Sequence, residues 1–360
     1  MAKLTHEQRT RQKYSATLKR VAPGSPLREG LAYILQSGTG GLLVLDDSKR
    51  ARKLCEGGVT IDRPFIPTLL YELCKMDGAI ILNDDASRIV SANVFLAPSK
   101  AIPSVETGTR HRAAERMAKQ TKSAVIAMSQ KRNSITLYVG NMKHVLETIP
   151  TLLNKASQAL QTLEKYCTAF REQLEELSIR EFQDMVTIFD VCETIQRAEM
   201  IRRIGDEINP YVIELGTEGR LVELQLRELM AAYDQGILVI KDFYKRTDTN
   251  TAEQVQEAIA RMSSKDLLNL NNICSALGYG PNMRVVDTYL SSRGYRILTE
   301  THRLSQAIIE NLVRAFGSLQ AVLRAPHEEL VAVEGVGEVM ATRIRVSLDL
   351  LRNQLALEVR

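Results

Sequence analysis

The rhythm of apolar and polar positions changes twice along the chain. In the first 145 residues, four short apolar runs have strand length and turn-like flanks: Gly41–Leu45, Ala79–Leu82, Ala124–Met128 and Ile135–Val139. Between them, Pro67–Cys74 and Ala113–Gln120 carry helical spacing. Strands alternating with helices predict an α/β domain built on a mixed sheet. From about residue 146 the pattern becomes helical throughout. Leu146, Ile149, Leu153, Leu160, Leu163, Cys167, Phe170, Leu174 and Leu177 recur every three or four residues or in multiples of that step, and no proline falls between Pro150 and Pro210. Such stripes predict an all-α spacer. Ser178–Glu181 and Thr251–Gln254 have capping-box spacing and predict two helix starts inside it.

The last segment, from about residue 286, contains Leu330–Ala341. Its Val333-Glu334-Gly335-Val336-Gly337 core is the apolar-x-Gly-apolar-Gly pattern of a helix-hairpin-helix turn. Gly335 and Gly337 permit a tight hairpin and let backbone N–H groups come close to a DNA phosphate. Arg343 and Arg345 follow just behind. Upstream, Ala307–Leu319 has the look of a companion half, although its turn, Thr301–Ser305, lacks both glycines. The expected organisation is residues 1–145, 146–285 and 286–360.

Composition restricts the class. An apolar fraction of 44% and a charged fraction of 25% are ordinary for a globular chain of 360 residues, long enough for two or three cores. Five scattered cysteines, with no CxxC pair, argue for reduced thiols and against a zinc site or disulfide framework. No apolar run approaches a bilayer-spanning length and the first residues are polar, so no membrane role and a cytoplasmic location are expected. The net charge of +4 is too mild to identify a nucleic-acid partner. Basic residues collect between Lys3 and Arg20, whereas residues 286–360 hold nine Arg against nine acids. DNA binding there would depend on local placement of Arg343 and Arg345, and a protein-interaction role is the alternative.

The densest candidate chemistry lies in residues 106–116, Glu-Thr-Gly-Thr-Arg-His-Arg-Ala-Ala-Glu-Arg. A turn at Thr107-Gly108-Thr109 opens into a helix that begins with Arg110, His111 and Arg112. Cations at a helix start oppose the macrodipole, so structure alone explains them poorly. Free backbone N–H groups and two guanidinium forks suit a polyphosphate. A solvated basic first turn is the plainer alternative. About thirty residues upstream, Asp77-Gly78-Ala79 precedes the apolar run. Such an Asp can hold a divalent metal, or simply make a turn.

Asp77-Gly78-Ala79 and Arg110-His111-Arg112, in that order and at that separation, resemble the two signature motifs of the diadenylate cyclase family. Ala92–Ser99 and Met128–Asn133 also resemble its pattern. The helical middle and helix-hairpin-helix end extend the resemblance to essentially the whole chain, in the family's DNA-scanning branch. It implies an α/β cyclase domain with a mixed sheet that condenses two ATP into cyclic di-AMP, releasing two pyrophosphates. The 3′-hydroxyl of each ATP attacks the α-phosphate of the other, so two cyclase domains must face one another across a two-fold axis.

By the same resemblance Asp77 binds Mg²⁺ or Mn²⁺, and Arg110, His111 and Arg112 complete the catalytic set. His111 would contact phosphate or metal, or be structural. Gly78, Ala79, Leu96, Thr107, Gly108, Thr109, Ser129 and Arg132 would contact ATP, with Leu96 on adenine. Ala113 stands where related sequences often carry a hydroxyl, and Gln130 where other branches carry an acid. The resemblance further implies an octamer, binding to branched or junction DNA that lowers cyclase activity, and association with the nucleoid. Two other readings compete: a DNA-binding scaffold that senses ATP or a dinucleotide without turnover, and a DNA-repair nuclease. The nuclease reading lacks a cluster of metal-spaced acids around Asp77.

Overall fold

The computed structural model describes residues 6–246, 250–280, 288–301 and 304–358. The expected boundary at 285/286, Lys3, His302 and Arg303 of the glycine-free turn, and Asp287 and Arg360 of the charge count lie outside these. The chain forms two compact units, Met1–Gln158 with Asn209–Glu223, and Ala159–Ile208 with Leu224–Arg360.

The first unit opens with helices α1 (His6–Val21) and α2 (Pro26–Ser37). Helix α2 starts where Ser25 accepts the Arg28 N–H at 3.1 Å, with Pro26 in its first turn, and stops at Gly38 in the left-handed region (φ 67°). Then follow β1 (Gly41–Leu45), α3 (Lys49–Arg52), β2 (Cys55–Glu56), β3 (Val59–Pro64), α4 (Pro67–Leu73), β4 (Ala79–Leu82), β5 (Arg88–Leu96), α5 (Thr109–Thr121), β6 (Ala124–Ser129), β7 (Ser134–Val139) and β8 (Met142–Val145).

The eight strands make one mixed sheet in the order β2-β5-β4-β1-β6-β7-β8, with β3 also paired to β5. Only β1 and β4 run parallel, Leu43 opposite Ile80 and Leu45 opposite Leu82; the other pairs are antiparallel. Alternate side chains serve opposite faces. Leu43, Leu45, Ile80, Leu82 and Ile126 pack under α1, α2 and α4, and Leu42, Val44, Ile81, Val125 and Ala127 pack under α5 through Ala114, Met117 and Ala118. Because both faces are covered, β1 is buried along its whole length and reads as a plain apolar run. Gly78 sits at φ 95°, and a Cβ there would lie 3.0 Å from the backbone of Asn93 and Val94, so only glycine lets β4 enter beside β5.

The second unit is helical. Its long members are α6 (Ile149–Gln183), α7 (Ile188–Leu215) and α8 (Arg220–Phe243), whose ends at 149–158 and 209–223 belong to the first unit. A short pair, β9 (Val186–Thr187) and β10 (Tyr289–Leu290), and helices α9 (Ala252–Ala260), α10 (Ser264–Leu267) and α11 (Leu270–Ala276) complete one core around Ile195, Phe243 and Ile259. A second core gathers Leu298, Leu312, Val322 and Ile344 from α12 (Tyr295–Glu300), α13 (Gln306–Phe316), α14 (Leu319–Arg324), α15 (His327–Val331) and α16 (Glu338–Glu358). No described helix is long and apolar enough to cross a membrane.

One expected helix start is an interior turn. Thr251 and Gln254 form the reciprocal capping box at the head of α9. Ser178 and Glu181 lie inside α6, which runs on to Gln183. Their shared face serves a buried cation instead. Arg296, 1% exposed, donates to Ser178 Oγ at 2.8 Å and to Glu181, while Ser178 back-bonds to Leu174 O at 2.8 Å. Asp242, at the end of α8, accepts the backbone N–H of Tyr295 (2.6 Å) and Arg296 (2.9 Å), capping α12 from a distant part of the chain.

Removing one partner of a buried ion pair leaves an uncompensated charge. We expect Arg296→Met to destabilise the second unit by ~3–5 kcal/mol, read as a lower urea midpoint. Combining it with Glu181→Met should recover most of that loss. A single variant as stable as the unchanged protein would remove this pair from the account.

Candidate active site

An open cleft of about 550 Å³ lies on the first unit, lined by Asp77, Glu106 to His111 and Met128 to Arg132. Three local structures build it. The bend between α4 and β4 carries Asp77 with its side chain fully exposed. The β6–β7 turn carries Ser129, Gln130, Lys131 and Arg132; Ser129 Oγ accepts the Arg132 N–H at 3.2 Å and holds the turn closed. The third is the start of α5.

Helix α5 begins one turn earlier than its apolar spacing suggests, at Thr109, so Arg110–Arg112 form its first turn. Its N-cap is Gly108, no side chain caps it and no acid lies in the first turn. The first backbone bond within the helix is Arg112 N to Gly108 O at 2.9 Å, which leaves the N–H groups of the preceding residues available to an anion. The preceding loop is held against the helix by the helix's own charged residues. Glu115 accepts from Ser104 Oγ at 2.5 Å and Val105 N at 3.2 Å, while Arg116 and Lys119 donate to the carbonyls of Ile102 (2.9 Å) and Pro103 (3.0 Å).

The two arginines part company. Arg110 reaches across the cleft floor, 3.4 Å from Thr39 O and 4.0 Å from Asp77 Oδ1. It lies so close to Gly40 that a Cβ there would fall 2.6 Å from Nη1 and 3.1 Å from Met128 O. Gly40 is also in the left-handed region, at φ 72°. Arg112 folds back on the turn, donating to Glu106 O at 3.3 Å and Thr107 O at 3.2 Å, and does not line the cleft.

His111 lines the cleft, with Nδ1 3.0 Å from Tyr138 Oη. Tyr138 donates to Glu106 Oε1 at 2.8 Å, and Lys143 pairs with the same oxygen at 2.6 Å. Burial, with the charges of Lys143, Arg132 and Arg110, outweighs the attraction of Glu106 and holds the imidazole below its ordinary pKa. Burial lifts the thiol of Cys74 to about 12 against the charge of Arg110, so Cys74 offers no thiolate nucleophile.

The cleft thus gathers Asp77, Thr107, Gly108, Thr109, Arg110, His111, Ser129 and Arg132 from the sequence-derived set. Ala79 and Leu96 are buried in the core under α5, and Gly78 is spent on strand packing. Glu106, Gly40, Tyr138 and Lys131 are additions. Glu106 and Lys131 stand inside motifs already singled out, but nothing in the sequence shows that Tyr138 and Gly40 reach the same place. Among the described residues no group of three or more His, Cys, Asp or Glu could hold a metal. A lone exposed carboxylate fits a hard divalent cation whose other ligands come from substrate phosphates and water.

A nucleotide-sized cleft with an uncapped, arginine-bearing helix start, followed by a long helical region, defines a nucleotide-binding domain joined to a helical linker. Comparison with known proteins places it further. Residues 28–143 match the family described as DisA bacterial checkpoint controller nucleotide-binding, and residues 146–286 match the DisA bacterial checkpoint controller linker region. Over 338 residues, 94% of this chain and 96% of the relative, the chain is 50% identical to the DNA integrity scanning protein DisA of Carboxydothermus hydrogenoformans. The protein of that name from Clostridium botulinum is 47% identical over 342 residues, 95% of this chain and 96% of its own. The chain belongs to the DisA family, and its enzyme class is diadenylate cyclase.

Gly40→Ala must either push the Arg110 guanidinium out of the cleft or strain the start of β1. We expect ATP affinity to fall about tenfold, measured by calorimetry. Unchanged affinity would mean that Arg110 is not held for phosphate by this contact.

Proposed function

We propose that each chain supplies one half of a two-nucleotide site, in which two ATP condense into cyclic di-AMP with release of two pyrophosphates. The observation that carries this reading is the uncapped start of α5, facing a cleft with Arg110 laid along its floor. A triphosphate satisfies its open N–H groups and its positive charge together. Thr107, Gly108 and Thr109 cradle the phosphates, and Arg110 holds the α-phosphate and the departing pyrophosphate. Ser129 and Arg132 line the same cleft. Arg112 braces the turn through its two carbonyl contacts and adds positive potential at the helix start.

Asp77 would hold Mg²⁺ or Mn²⁺, which supplies charge neutralisation on phosphate oxygens and acidifies a nearby hydroxyl. By family likeness Gly78, Ala79 and Leu96 would lie beside the ribose and adenine; with the side chains of Ala79 and Leu96 buried under α5, their backbone is what they would offer. Because a 3′-hydroxyl must meet a phosphorus on a second nucleotide, two such clefts face each other across a two-fold axis; the family likeness extends this assembly to an octamer.

The second unit ends in α15, a turn holding Gly335 at φ 86°, and the exposed start of α16. We infer that Gly335, Gly337, Arg343 and Arg345 contact the phosphates of branched or junction DNA, independently of base sequence, and that this chain works at the nucleoid as a reader of DNA integrity. Arg343 is exposed, and nothing lies within 4 Å of a Cβ built on Gly337, so an approaching backbone meets no obstacle there. Arg345 is tied to Ala325 O and would have to exchange that bond for a phosphate.

Chromatography of products from ATP with Mg²⁺ or Mn²⁺ should show cyclic di-AMP and two pyrophosphates per dinucleotide. ATP bound but returned unchanged would favour the scaffold reading. Asp77→Asn should cut the rate at least ~10²-fold while leaving assembly intact, and substantial synthesis at saturating metal would remove Asp77 from this role. Replacing Gly335 and Gly337 with leucine should weaken junction-DNA binding ~10-fold or more and relieve inhibition of the cyclase by that DNA, with the DNA-free rate unchanged. Undiminished binding in a gel-shift series would place the DNA contact elsewhere.

A further inference from the structure

We propose that Glu106 and Tyr138 are positioning residues for the reaction, holding His111 as its Nδ1-protonated tautomer so that the Nε2 lone pair accepts the proton of the attacking ribose hydroxyl. This rests on the cyclase reading above.

The proton placement follows from donors and acceptors alone. Lys143 Nζ and Tyr138 Oη both lie on Glu106 Oε1, at 2.6 and 2.8 Å. An ammonium can only donate, and an ionised carboxylate can only accept. Burial would raise Glu106, but the hydrogen bonds from Lys143 and Tyr138 and the charge of Lys143 prevail, so its pKa falls below the ordinary value. The one phenolic proton of Tyr138 is therefore committed to Glu106. Burial and that same bond push Tyr138 far above the usual phenol range, so the proton stays on. The Tyr138 oxygen, 3.0 Å from His111 Nδ1, can then only accept. Nδ1 carries the hydrogen. Because His111 is held neutral, Nε2 carries none.

Nδ1 is spent on the protein, and Nε2 has no hydrogen-bond partner among the described residues. The imidazole forms part of the cleft wall, within reach of the charges of Arg110 and Arg132. In the step, the 3′ O–H proton passes to Nε2 as the oxygen bonds to the α-phosphorus of the second ATP. The bond from that phosphorus to the bridging oxygen breaks, and pyrophosphate leaves with the electron pair. The imidazolium keeps its Nδ1 proton, bonded to a phenol oxygen polarised by Glu106. A carboxylate plays the same orienting part behind the histidine of serine hydrolases, here with a tyrosine between.

The network also ties the start of α5 to β7, so a purely structural role is the competing explanation. Tyr138→Phe in the full-length protein separates them, because it keeps the ring in a site only 1% exposed and deletes only the oxygen. Nitrogen-15 NMR of histidine-labelled protein, with His111 assigned by the peak lost in His111→Asn, reads the tautomer directly. Glu106→Gln serves as a second variant.

We expect the Nδ1–H form in the unchanged protein and loss of that preference in Tyr138→Phe. With it, kcat should fall about 10²-fold, while KM for ATP and the melting temperature stay near their original values. Glu106→Gln, whose amide oxygen can still accept from Tyr138, should fall between the two. An Nε2–H tautomer in the unchanged protein would overturn the proposal, as would Tyr138→Phe turning over at the original rate, or losing rate only in proportion to folded protein. If the unchanged protein made no cyclic dinucleotide, the cyclase reading would fail, and the tautomer spectrum would still judge the placement of the proton.

Discussion

The architecture of the first unit depends on leaving the N-terminus of α5 without a cap from the protein itself. Helix starts ordinarily recruit Ser, Thr, Asp or Asn to satisfy their first N–H groups, as Ser25 does for α2. Helix α5 has Gly108 there and cations where acids would be favourable. That choice costs stability in the free protein, and the surroundings compensate. The far end of the helix is locked to the sheet through Ala114, Met117 and Ala118. Glu115, Arg116 and Lys119 fasten the loop that leads into it. Sheet order then matters for the cleft, because the centrally placed β1 and β6 bring Met128–Arg132 to the helix start and Gly40 against Arg110 and Met128.

Much of this was legible in sequence, for physical reasons that differ from element to element. Strands β1, β4, β6 and β7 are covered on both faces, so they read as near-continuous apolar runs bounded by turn residues, with Thr136 the one polar interruption in Ile135–Val139. Strand β3 escaped because it is an exposed edge strand with charged residues along it, and β5 because Arg88–Leu96 interleaves polar positions and bulges at Asn93, φ 54°. The candidate anion site stood out in the sequence because cations at a helix start violate a local preference, and such violations point to function. Its fine structure was not. That Arg110 faces the cleft while Arg112 turns back depends on carbonyls at Thr39, Glu106 and Thr107, and no spacing encodes those contacts.

The second unit teaches the complementary lesson. Ser178 and Glu181 have the spacing of a capping box because residues three apart share a helix face, and a cap and a mid-helix cation site use the same geometry. Only Arg296, more than a hundred residues away, decides between them. The Thr251 box was read correctly because its partners are local. Local chemistry is readable, and a long-range partner overrides it without leaving a mark nearby.

On this reading the open start of α5 is a triphosphate site. A structure of the protein with a non-hydrolysable ATP analogue and Mg²⁺ tests it most directly. The account predicts phosphate oxygens within hydrogen-bonding distance of the first N–H groups of α5 and the Arg110 guanidinium, with Asp77 on the metal and the ribose turned toward a second, facing copy. A nucleotide bound elsewhere, or phosphates that leave those N–H groups to water, would contradict it.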